Sequence, residues 1–504
     1  MTATRILFVV SECAPFAKVG GLADVAGALP KALRRLGYDA RIVLPLYAGV
    51  NRARHGIVFE RPFTVQMGPR DYPAAVWSGR MADVPVRFIE CGRFFDRPGI
   101  YGDTSGDYPD NAARFAFFCR AALETCRSGP FIPDIVHCHD WHTALLPFFL
   151  KTAEYSETRP ARAASVLTIH NIGYQGLFPA GALSDLGIGP PDSIPGQLEY
   201  FGRINFLKAG IKCADYLATV SPTHARELLD FSSGGGLTAE LLERKRDFKG
   251  ILNGVDYAEW DPARDPLLPA HYTAAEPGGK AVCKAALQRT FGLDERPDLP
   301  VFGIVARLAR QKGLGLLAEI MPRVLDNMAI QFVALGTGDR FFESFLLNLA
   351  RRHPRRAAAR IEFSDKLSHL IEAGGDFFLM PSLYEPCGLT QMYAMLYGTL
   401  PIVRAVGGLA DTVENYDEAS GRGTGFKFQD AAPRALYNTI GWAVSTWFDR
   451  PRHIALLRRQ AMRRDFSWDK AAREYSEVYA ALKPGPAANS FSTSARKACG
   501  EETR

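Results

Sequence analysis

Short apolar segments recur along this chain, and each ends in a polar residue or a glycine that precedes a helix-like pattern. Segments rich in β-branched and aromatic residues suit strands that helices cover on both faces, as in parallel α/β sheets. They form two series, which are 5–10, 134–138, 165–169, 216–220 and 250–252, then 301–305, 332–335 and 377–380. The sequence therefore predicts an α/β fold with two doubly wound domains.

A stretch with weak strand signal separates the two series. Residues 260–300 are rich in Pro, Asp and Ala, and 504 residues are too many for one hydrophobic core. We therefore predict an N-terminal domain over 1–259 and a C-terminal domain over 260–466. An amphipathic pattern predicts a further helix over 467–483, and the small, polar residues of 484–504 are expected to be disordered.

Charge and cysteine content argue against several classes of function. The net charge of +6 is small for this length and the basic residues are dispersed, which argues against nucleic-acid binding. Nine cysteines without a C-x-x-C pair are typical of reduced thiols in a cytoplasmic protein. The apolar run 6–10 is too short for a signal peptide, and no stretch approaches the roughly 18 apolar residues of a membrane span. We expect a soluble, cytoplasmic protein.

The notable polar residues follow the apolar segments, at the edge where open α/β sheets bind ligands. After the first segment, Lys18, Gly20 and Gly21 precede an Ala- and Leu-rich helix. Glycines admit a ligand close to the backbone, helix N-terminal N–H groups favour anions, and a lysine there can pair with phosphate. An ordinary turn with a solvated lysine is the alternative. The absence of G-x-G-x-x-G argues against a dinucleotide cofactor.

Two further segments end in titratable side chains. Asp140 is a candidate site carboxylate and a candidate N-cap of the following helix, and His170 is either a ligand contact or a satisfied core histidine. The run 137–142 gathers His, Cys and Asp, but successive strand residues point to opposite faces. We therefore reject a metal site there.

The second series contributes two cations that follow its first segment. Arg307 and Lys312 stand five residues apart across a predicted strand–turn–helix connection. Both can reach one diphosphate and stabilise it as its charge grows on departure. Two unrelated surface cations are the alternative.

The last segment of the series leads into Glu385 and a glycine-containing turn. Glu385 can accept sugar hydroxyls, and beside Gly388 the N–H groups of Leu389 and Thr390 can hold phosphate; a buried acidic cap is the alternative. Cys387 has no His–Asn arrangement to make it a nucleophile. The chain contains no Asp-x-Asp, the pair with which many sugar-nucleotide enzymes hold a metal. The cations present can neutralise a diphosphate without one.

Taken together, these segments resemble the bacterial glycogen synthase and plant starch synthase family from residue 6 to about 482. The strings that carry the resemblance are 18–25 (KVGGLADV), 108–111 (YPDN) with 114–115 (RF), 139–142 (HDWH), 170–176 (HNIGYQG), 205–209 (NFLKA), 252–256 (LNGVD), 307–308 (RL) with 311–313 (QKG) and 385–391 (EPCGLTQ). Their ordered co-occurrence is far more specific than any one of them.

The resemblance implies a GT-B glycosyltransferase fold, in which two Rossmann-like domains face a central cleft and the helix 467–483 packs back on the N-terminal domain. It also implies ADP-glucose as donor, an α-1,4-glucan such as glycogen as acceptor, retention of the α configuration, and neither metal nor cofactor.

By position, the resemblance gives catalytic roles to Glu385, Arg307, Lys312, His170 and Asp140. The residues it leads us to expect in substrate binding are Lys18, Gly20, Gly21, Asp24, Tyr108, Asn111, Gln175, Asn253, Gly388, Leu389 and Thr390. Lys18 and Glu385 would then form opposite walls of one cleft.

The mechanism we expect is front-face displacement, in which the acceptor 4-hydroxyl attacks from the side that ADP leaves and the departing phosphate takes the proton. Double displacement through a carboxylate is the rival mechanism. The rival functions are a sugar-nucleotide epimerase and a glycan-binding homologue without activity. The long N-terminal resemblance argues against the first, and the presence of Lys18, Arg307, Lys312 and Glu385 argues against the second.

Overall fold

The computed structural model describes residues 3–152, 155, 158–190 and 195–482. The predicted disorder of 484–504 lies outside these described residues. The chain forms two compact units, the first comprising the described parts of Met1–Val220, Ala225–Gly254 and Trp468–Arg504, and the second Ser221–His224 and Val255–Ser467.

The division between the units falls after Gly254, whereas the sequence places it after residue 259. Val255 belongs to the second unit because its N–H donates to the Phe466 carbonyl at 2.7 Å and its backbone pairs with that of Ser467. The short segment Ser221–His224 belongs there too, since Thr223 donates twice to the Asp411 carboxylate, at 2.8 and 2.6 Å. Side-chain hydrogen bonds of this kind leave no pattern in the sequence.

Parallel strands dominate the first unit. Its strands in the described residues are β1 (Arg5–Val9), β2 (Asp39–Pro45), β3 (Val58–Met67), β4 (Arg70–Met81), β5 (Val84–Glu90), β6 (Gly102–Asp103), β7 (Gly106–Asp107), β8 (Ile135–His139), β9 (Ala164–Ile169), β10 (Leu177–Pro179), β11 (Glu199–Tyr200), β12 (Arg203–Asn205), β13 (Tyr216–Thr219) and β14 (Phe248–Gly250). The main sheet has the order β14–β13–β9–β8–β1–β2–β5–β4–β3, and β4 runs antiparallel to both of its neighbours. The two pairs that flank β1 are parallel, with Ile6 opposite both Ala40 and Ile135.

Helices follow most of these strands. Those described before Val255 are α1 (Gly21–Arg35), α2 (Gly92–Phe95), α3 (Asn111–Arg127), α4 (Leu145–Leu150), α5 (Ala182–Leu186), α6 (Phe206–Cys213), α7 (Pro222–Leu228) and α8 (Thr238–Glu243), with 3₁₀ helices at Arg159–Arg162 and Lys245–Asp247. Strand β8 is buried along its whole length, as expected of a strand that helices cover on both faces.

The second unit is a parallel sheet wound in both directions from its first strand. Its strands are β15 (Val301–Val305), β16 (Gln331–Leu335), β17 (Ala357–Arg360), β18 (Phe377–Met380), β19 (Leu400–Arg404) and β20 (Phe426–Phe428). Its helices are α9 (Gly279–Phe291), α10 (Leu314–Asn327), α11 (Arg340–Arg352), α12 (Asp365–Gly374), α13 (Thr390–Leu396), α14 (Gly407–Thr412), α15 (Pro433–Asp449) and α16 (Pro451–Met462), with a 3₁₀ helix at Arg310–Lys312. The sheet order β17–β16–β15–β18–β19–β20 is that of a Rossmann fold. The two sheets confirm the predicted pair of Rossmann-like units.

The last helix, α17 (Trp468–Leu482), belongs to the first unit. It packs on α1, where Arg35 donates to Asp469 at 2.6 Å and Tyr38 shares a 2.6 Å hydrogen bond with Ser476. Its apolar face buries Tyr475 and Tyr479. None of the helices in the described ranges is long and apolar enough to cross a membrane.

The turn between β15 and α10 depends on a glycine. Gly313 has a φ of +73°, which residues with a side chain adopt at a cost, and a Cβ there would lie 2.0 Å from the Pro381 carbonyl oxygen. The loop that follows β15 therefore touches the backbone that follows β18. Lys312 precedes this glycine, so the contact also positions its side chain.

Gly313→Ala should lower the unfolding free energy of the second unit by at least about 2 kcal/mol, through left-handed strain and the clash with Pro381. The matched control is Gly315→Ala, two residues on in α10, where a Cβ meets nothing within 4 Å. That variant should be neutral or stabilising by about 0.4–1 kcal/mol. Thermal unfolding of both variants measures the contrast, and equal midpoints would contradict the assigned turn.

Candidate active site

Both sheets have a topological switch point, where the loops after two adjacent strands diverge and leave a crevice for ligand. In the second unit the point lies between β15 and β18, which pair through Phe302 and Phe377. Arg307 follows β15 and is exposed at this edge, and Glu385 follows β18. The predicted cation and carboxylate therefore flank one switch point.

Glu385 is held by two neighbours at this edge. Lys312 donates to both of its carboxylate oxygens, at 2.9 and 2.7 Å, and Ser382 donates to Oε2 at 2.9 Å. Glu385 is 6% exposed. The structure thus pairs two residues that the sequence assigned separately, Lys312 to diphosphate and Glu385 to the sugar.

The loop after Glu385 is fixed by hydrogen bonds from a neighbouring glutamine. Gln391 donates its amide to the carbonyls of Cys387 and Gly388, at 3.1 and 3.0 Å. Gly388 takes a φ of +69° just before α13 begins at Thr390. The sequence predicted the turn but not the glutamine that holds it, and Leu389 and Thr390 are half-buried at its end.

In the first unit the switch point lies between β1 and β8, and Glu12 follows β1. Its Oε2 accepts the N–H groups of Val19 and Gly20, at 2.6 and 2.8 Å, and Tyr101 donates to Oε1 at 2.5 Å. These backbone N–H groups lie at the helix start that the sequence analysis assigned to an anionic ligand, and in this structure they bind the Glu12 carboxylate instead. The sequence analysis did not identify Glu12, although Glu12, like Asp140, follows the end of an apolar segment.

Lys18 and Asp24 form a salt bridge with 2.7 Å between Nζ and Oδ1. The lysine side chain is 44% exposed and the aspartate 23%. The ion pair spans the start of α1, where Gly21 is the first helical residue. Lys18 therefore stands at the predicted helix start, already paired with a carboxylate.

Tyr108 and Asn111 contact residues that lie next to this edge of the sheet. Asn111 donates to the Tyr101 carbonyl at 2.8 Å and accepts from Arg114 at 2.7 Å. The Arg114 guanidinium is fully buried, lies 4.9 Å from the Tyr108 ring centre, and has its pKa lowered by desolvation. Tyr108 and Asn111, both predicted to bind substrate, thus contact Arg114, and Asn111 also holds Tyr101. The sequence analysis did not identify Tyr101 and did not foresee the structural role of Arg114.

Asp140 follows β8 in the left-handed region, with a φ of +56°. Its Oδ1 accepts the N–H groups of His170 and Asn171, at 2.7 and 3.3 Å. Burial raises the pKa of Asp140 to about 7, and the two N–H donors only partly offset this. The expected N-cap role is wrong, because α4 begins at Leu145 and the carboxylate binds the loop after β9 instead.

His170 meets a second histidine at the same edge. Its Nε2 lies 2.9 Å from Nδ1 of His139, and burial lowers the pKa of His170 to about 3. His137 instead hydrogen bonds with Thr168 and Tyr479. The histidines of the 137–142 run thus turn to different partners, and in the described part of the chain no three His, Cys, Asp or Glu side chains are grouped to hold a metal.

The remaining two predicted residues, Asn253 and Gln175, differ in whether their side chains have groups available to a ligand. The side-chain oxygen of Asn253 is buried and meets no hydrogen-bond donor among the described residues, so it is available to one. Gln175 donates to the Gly235 carbonyl at 2.7 Å and accepts from Asn205 at 2.8 Å. Its amide holds loops together in this structure.

One exposed aromatic ring at the edge of the second sheet was not foreseen. Phe363 lies just beyond the end of β17 and is 81% exposed. Its strand belongs to the same parallel sheet as β15, so it ends at the same edge. Phe363 therefore places an exposed apolar ring at the edge where open α/β sheets bind ligands.

Comparison with known proteins matches this architecture. A model of the starch synthase catalytic domain matches residues 5–243, and a model of group 1 glycosyl transferases matches 299–445. Glycogen synthase 1 of Geobacter metallireducens is 46% identical over 95% of this chain and 96% of its own length, and glycogen synthase of Anaeromyxobacter dehalogenans is 47% identical over 95% and 100%. The solved catalytic domain of starch synthase IV from Arabidopsis thaliana, bound to ADP and acarbose, is 33% identical and superimposes with a TM-score of 0.88 over 95% of this chain and 99% of that one.

The matched models and the solved starch synthase identify the two Rossmann-like units as those of a GT-B glycosyltransferase. The chain belongs to the glycogen synthase and starch synthase family of these transferases.

Asp140→Asn should stabilise the first unit in a pH-dependent way. Because the folded-state pKa of about 7 lies above the ordinary 3.8, the folded protein binds this proton more tightly. The associated stability is complete below about pH 4 and is lost as the pH rises to about 7. Asparagine keeps an oxygen for both N–H donors without the charge, so the variant should gain up to about 4 kcal/mol at pH 8 and nothing at pH 4.

Urea unfolding at the two pH values tests this, with Asp185→Asn as control because that carboxylate is 59% exposed. The control should show no pH-dependent gain. A gain at pH 8 no larger than that of the control would refute the raised pKa.

Proposed function

We propose that this chain is a glycogen synthase that transfers glucose from ADP-glucose to the non-reducing end of an α-1,4-glucan, retains the α configuration and releases ADP. The observation that carries the proposal is the Lys312–Glu385 ion pair at the switch point of the second sheet, in a chain of this family. It provides positive charge for a diphosphate beside a carboxylate for sugar hydroxyls. These are the two ends of a sugar nucleotide that must be held during transfer.

Arg307 and Lys312 are proposed to bind the diphosphate. A unit charge pair at about 4 Å is worth roughly 4 kcal/mol at an effective dielectric of 20, and its value grows as negative charge develops on the departing ADP. Lys312 already neutralises Glu385, so a phosphate oxygen would join an existing ion pair. The turn from Gly388 to Thr390 is proposed to add backbone donors.

Glu385 is proposed to orient the donor sugar rather than to attack it. Both of its oxygens are hydrogen bonded, one of them twice, which lowers their nucleophilicity. This supports front-face displacement over a double displacement through Glu385. In that mechanism the leaving phosphate removes the proton of the acceptor 4-hydroxyl.

The first unit is proposed to supply ligands for glucose. Asp140, His170 and Asn253 each offer a polar group at the loops after its strands, and the Asn253 oxygen has no competing donor among the described residues. Lys18, with Asp24, is proposed to contact the donor near Gly20 and Gly21. Tyr108, Asn111 and Gln175 are proposed to act by holding the loops that carry these residues.

The reaction is proposed to need no metal and to take place in the cytoplasm, without nucleic-acid or membrane partners. In this proposal Arg307 and Lys312 neutralise the diphosphate, as the divalent ion does in enzymes with an Asp-x-Asp pair.

Purified protein should incorporate labelled glucose into glycogen from ADP-glucose, with little change in 1 mM EDTA. UDP-glucose in a parallel assay tests the donor. Incorporation from neither donor would exclude synthase activity and favour a glycan-binding homologue, and preference for UDP-glucose would overturn only the donor. Strong inhibition by EDTA would restore a metal to the mechanism.

Lys312→Ala should lower kcat roughly a hundredfold, because it removes one preorganised charge from the leaving group. Arg310→Ala is the matched control, an exposed cation in the same 3₁₀ helix, and should leave kcat unchanged. Thermal unfolding of both variants separates loss of folding from loss of catalysis, since Lys312→Ala also leaves Glu385 without its counterion. Equal kcat values would contradict the diphosphate role.

A further inference from the structure

The contact between His139 and His170 joins a buried side chain to one at the edge of the sheet. Nδ1 of His139 lies 2.9 Å from Nε2 of His170, which is a hydrogen-bonding distance. His139 is fully buried and its backbone is fixed by Thr143, which accepts from the His139 N–H at 2.6 Å. His170 is half-buried, and its Nδ1 makes no hydrogen bond within the part of the chain that the structure describes. One nitrogen of His170 is thus held from behind while the other is left for a ligand.

Burial favours the neutral form of both rings, in which each ring carries a single N–H. Burial lowers the pKa of His139 well below its ordinary value, and that of His170 to about 3. A hydrogen bond between two neutral imidazoles needs one N–H and one bare nitrogen, which leaves two arrangements. Either His139 donates from Nδ1 to His170, or His170 donates from Nε2 to His139.

The far side of the His139 ring distinguishes the two arrangements. Its Nε2 is buried and meets no hydrogen-bond partner among the described residues. The ring lies against Phe8, with centroids 5.6 Å apart, and against His137 at 4.2 Å. His137 cannot serve as the partner, because Thr168 occupies one of its nitrogens and Tyr479 the other, each at 2.7 Å.

A proton on Nε2 of His139 would therefore be a buried donor without an acceptor, a situation that folded proteins rarely tolerate. A proton on Nδ1 instead satisfies that donor with His170 and leaves Nε2 as a bare nitrogen that needs no acceptor. The geometry favours the second arrangement, in which His139 donates.

We propose that His139 is a positioning residue for transfer: its Nδ1–H donates to Nε2 of His170 and so holds the His170 proton on Nδ1. The His170 ring then presents an N–H donor to a hydroxyl oxygen of the donor sugar, in a fixed tautomer and orientation. The kinetic part of this inference rests on the proposed function, whereas the tautomer is a property of the protein alone.

The tautomer can be measured without substrate. In protein labelled with ¹⁵N-histidine, long-range ¹H–¹⁵N correlation spectra distinguish the two neutral tautomers, and the spectra of His139→Leu and His170→Ala assign the two rings. His139 and His170 should both be protonated on Nδ1 in the wild-type protein. A proton on Nε2 of His170 would overturn the proposal, whether or not the enzyme uses ADP-glucose.

Kinetics then test the positioning role. His139→Leu should lower kcat/KM for ADP-glucose roughly tenfold to a hundredfold, because His170 loses its fixed orientation. His139→Asn should restore most of it, since its amide nitrogen occupies the place of Nδ1, whereas His139→Gln carries its amide at the place of Nε2 and should not. Equal activities of the Asn and Gln variants would contradict the role of Nδ1.

A double-mutant cycle separates this role from a general effect on folding. If His139 acts through His170, adding His139→Leu to His170→Ala should cost no further activity. A full additional loss in that background, or thermal midpoints that fall in step with activity, would assign His139 to packing alone. If wild-type protein transfers glucose from neither donor, the proposed function fails, while the spectroscopic test of the tautomer still stands.

Discussion

The central parallel strands of each sheet are buried, and this burial decides where polar side chains can lie. Strands such as β8, β16 and β18 are buried along their whole length, so their side chains form the core. Charged groups are left to the loops at the carboxyl ends of the strands. Because each sheet winds outward from its first strand, β1 or β15, the loops on the two sides diverge there, and the same topology creates a candidate half-site in each unit.

The buried carboxylates at these edges are stabilised in different ways. Glu385 has a lysine counterion, and Glu12 has two backbone N–H groups and a tyrosine hydroxyl. Asp140 has backbone donors without a counterion, and burial raises its pKa to about 7. Such a carboxyl changes its charge near pH 7, and the folded state loses stability when the carboxyl is ionised there.

The strands and the edge at which the site residues lie could be predicted from the sequence, because both follow from local apolar patterns and from one topological rule. The partners of these residues could not. Tyr101 reaches Glu12 from 89 positions away, and Lys312 reaches Glu385 from 73 positions away, so no local spacing records either contact.

Local signals also misled where a distant partner competed. The sequence analysis assigned the Gly20 N–H to an anionic ligand, but this N–H donates to Glu12. It assigned Asp140 to a helix start, but the Asp140 carboxylate accepts from the loop at His170. In both cases a buried donor or acceptor found a partner inside the unit, as burial demands. Roles that depend on such competition emerge only from the three-dimensional arrangement.

The position of α17 in the chain has a consequence for synthesis. Its Tyr479 hydrogen bonds to His137 in the core of the first unit, 342 positions earlier. The ribosome makes all of Val255–Ser467 before this tyrosine exists. Until α17 has been translated, after the whole of Val255–Ser467, His137 lacks its Tyr479 partner and the surface of α1 that α17 covers stays exposed.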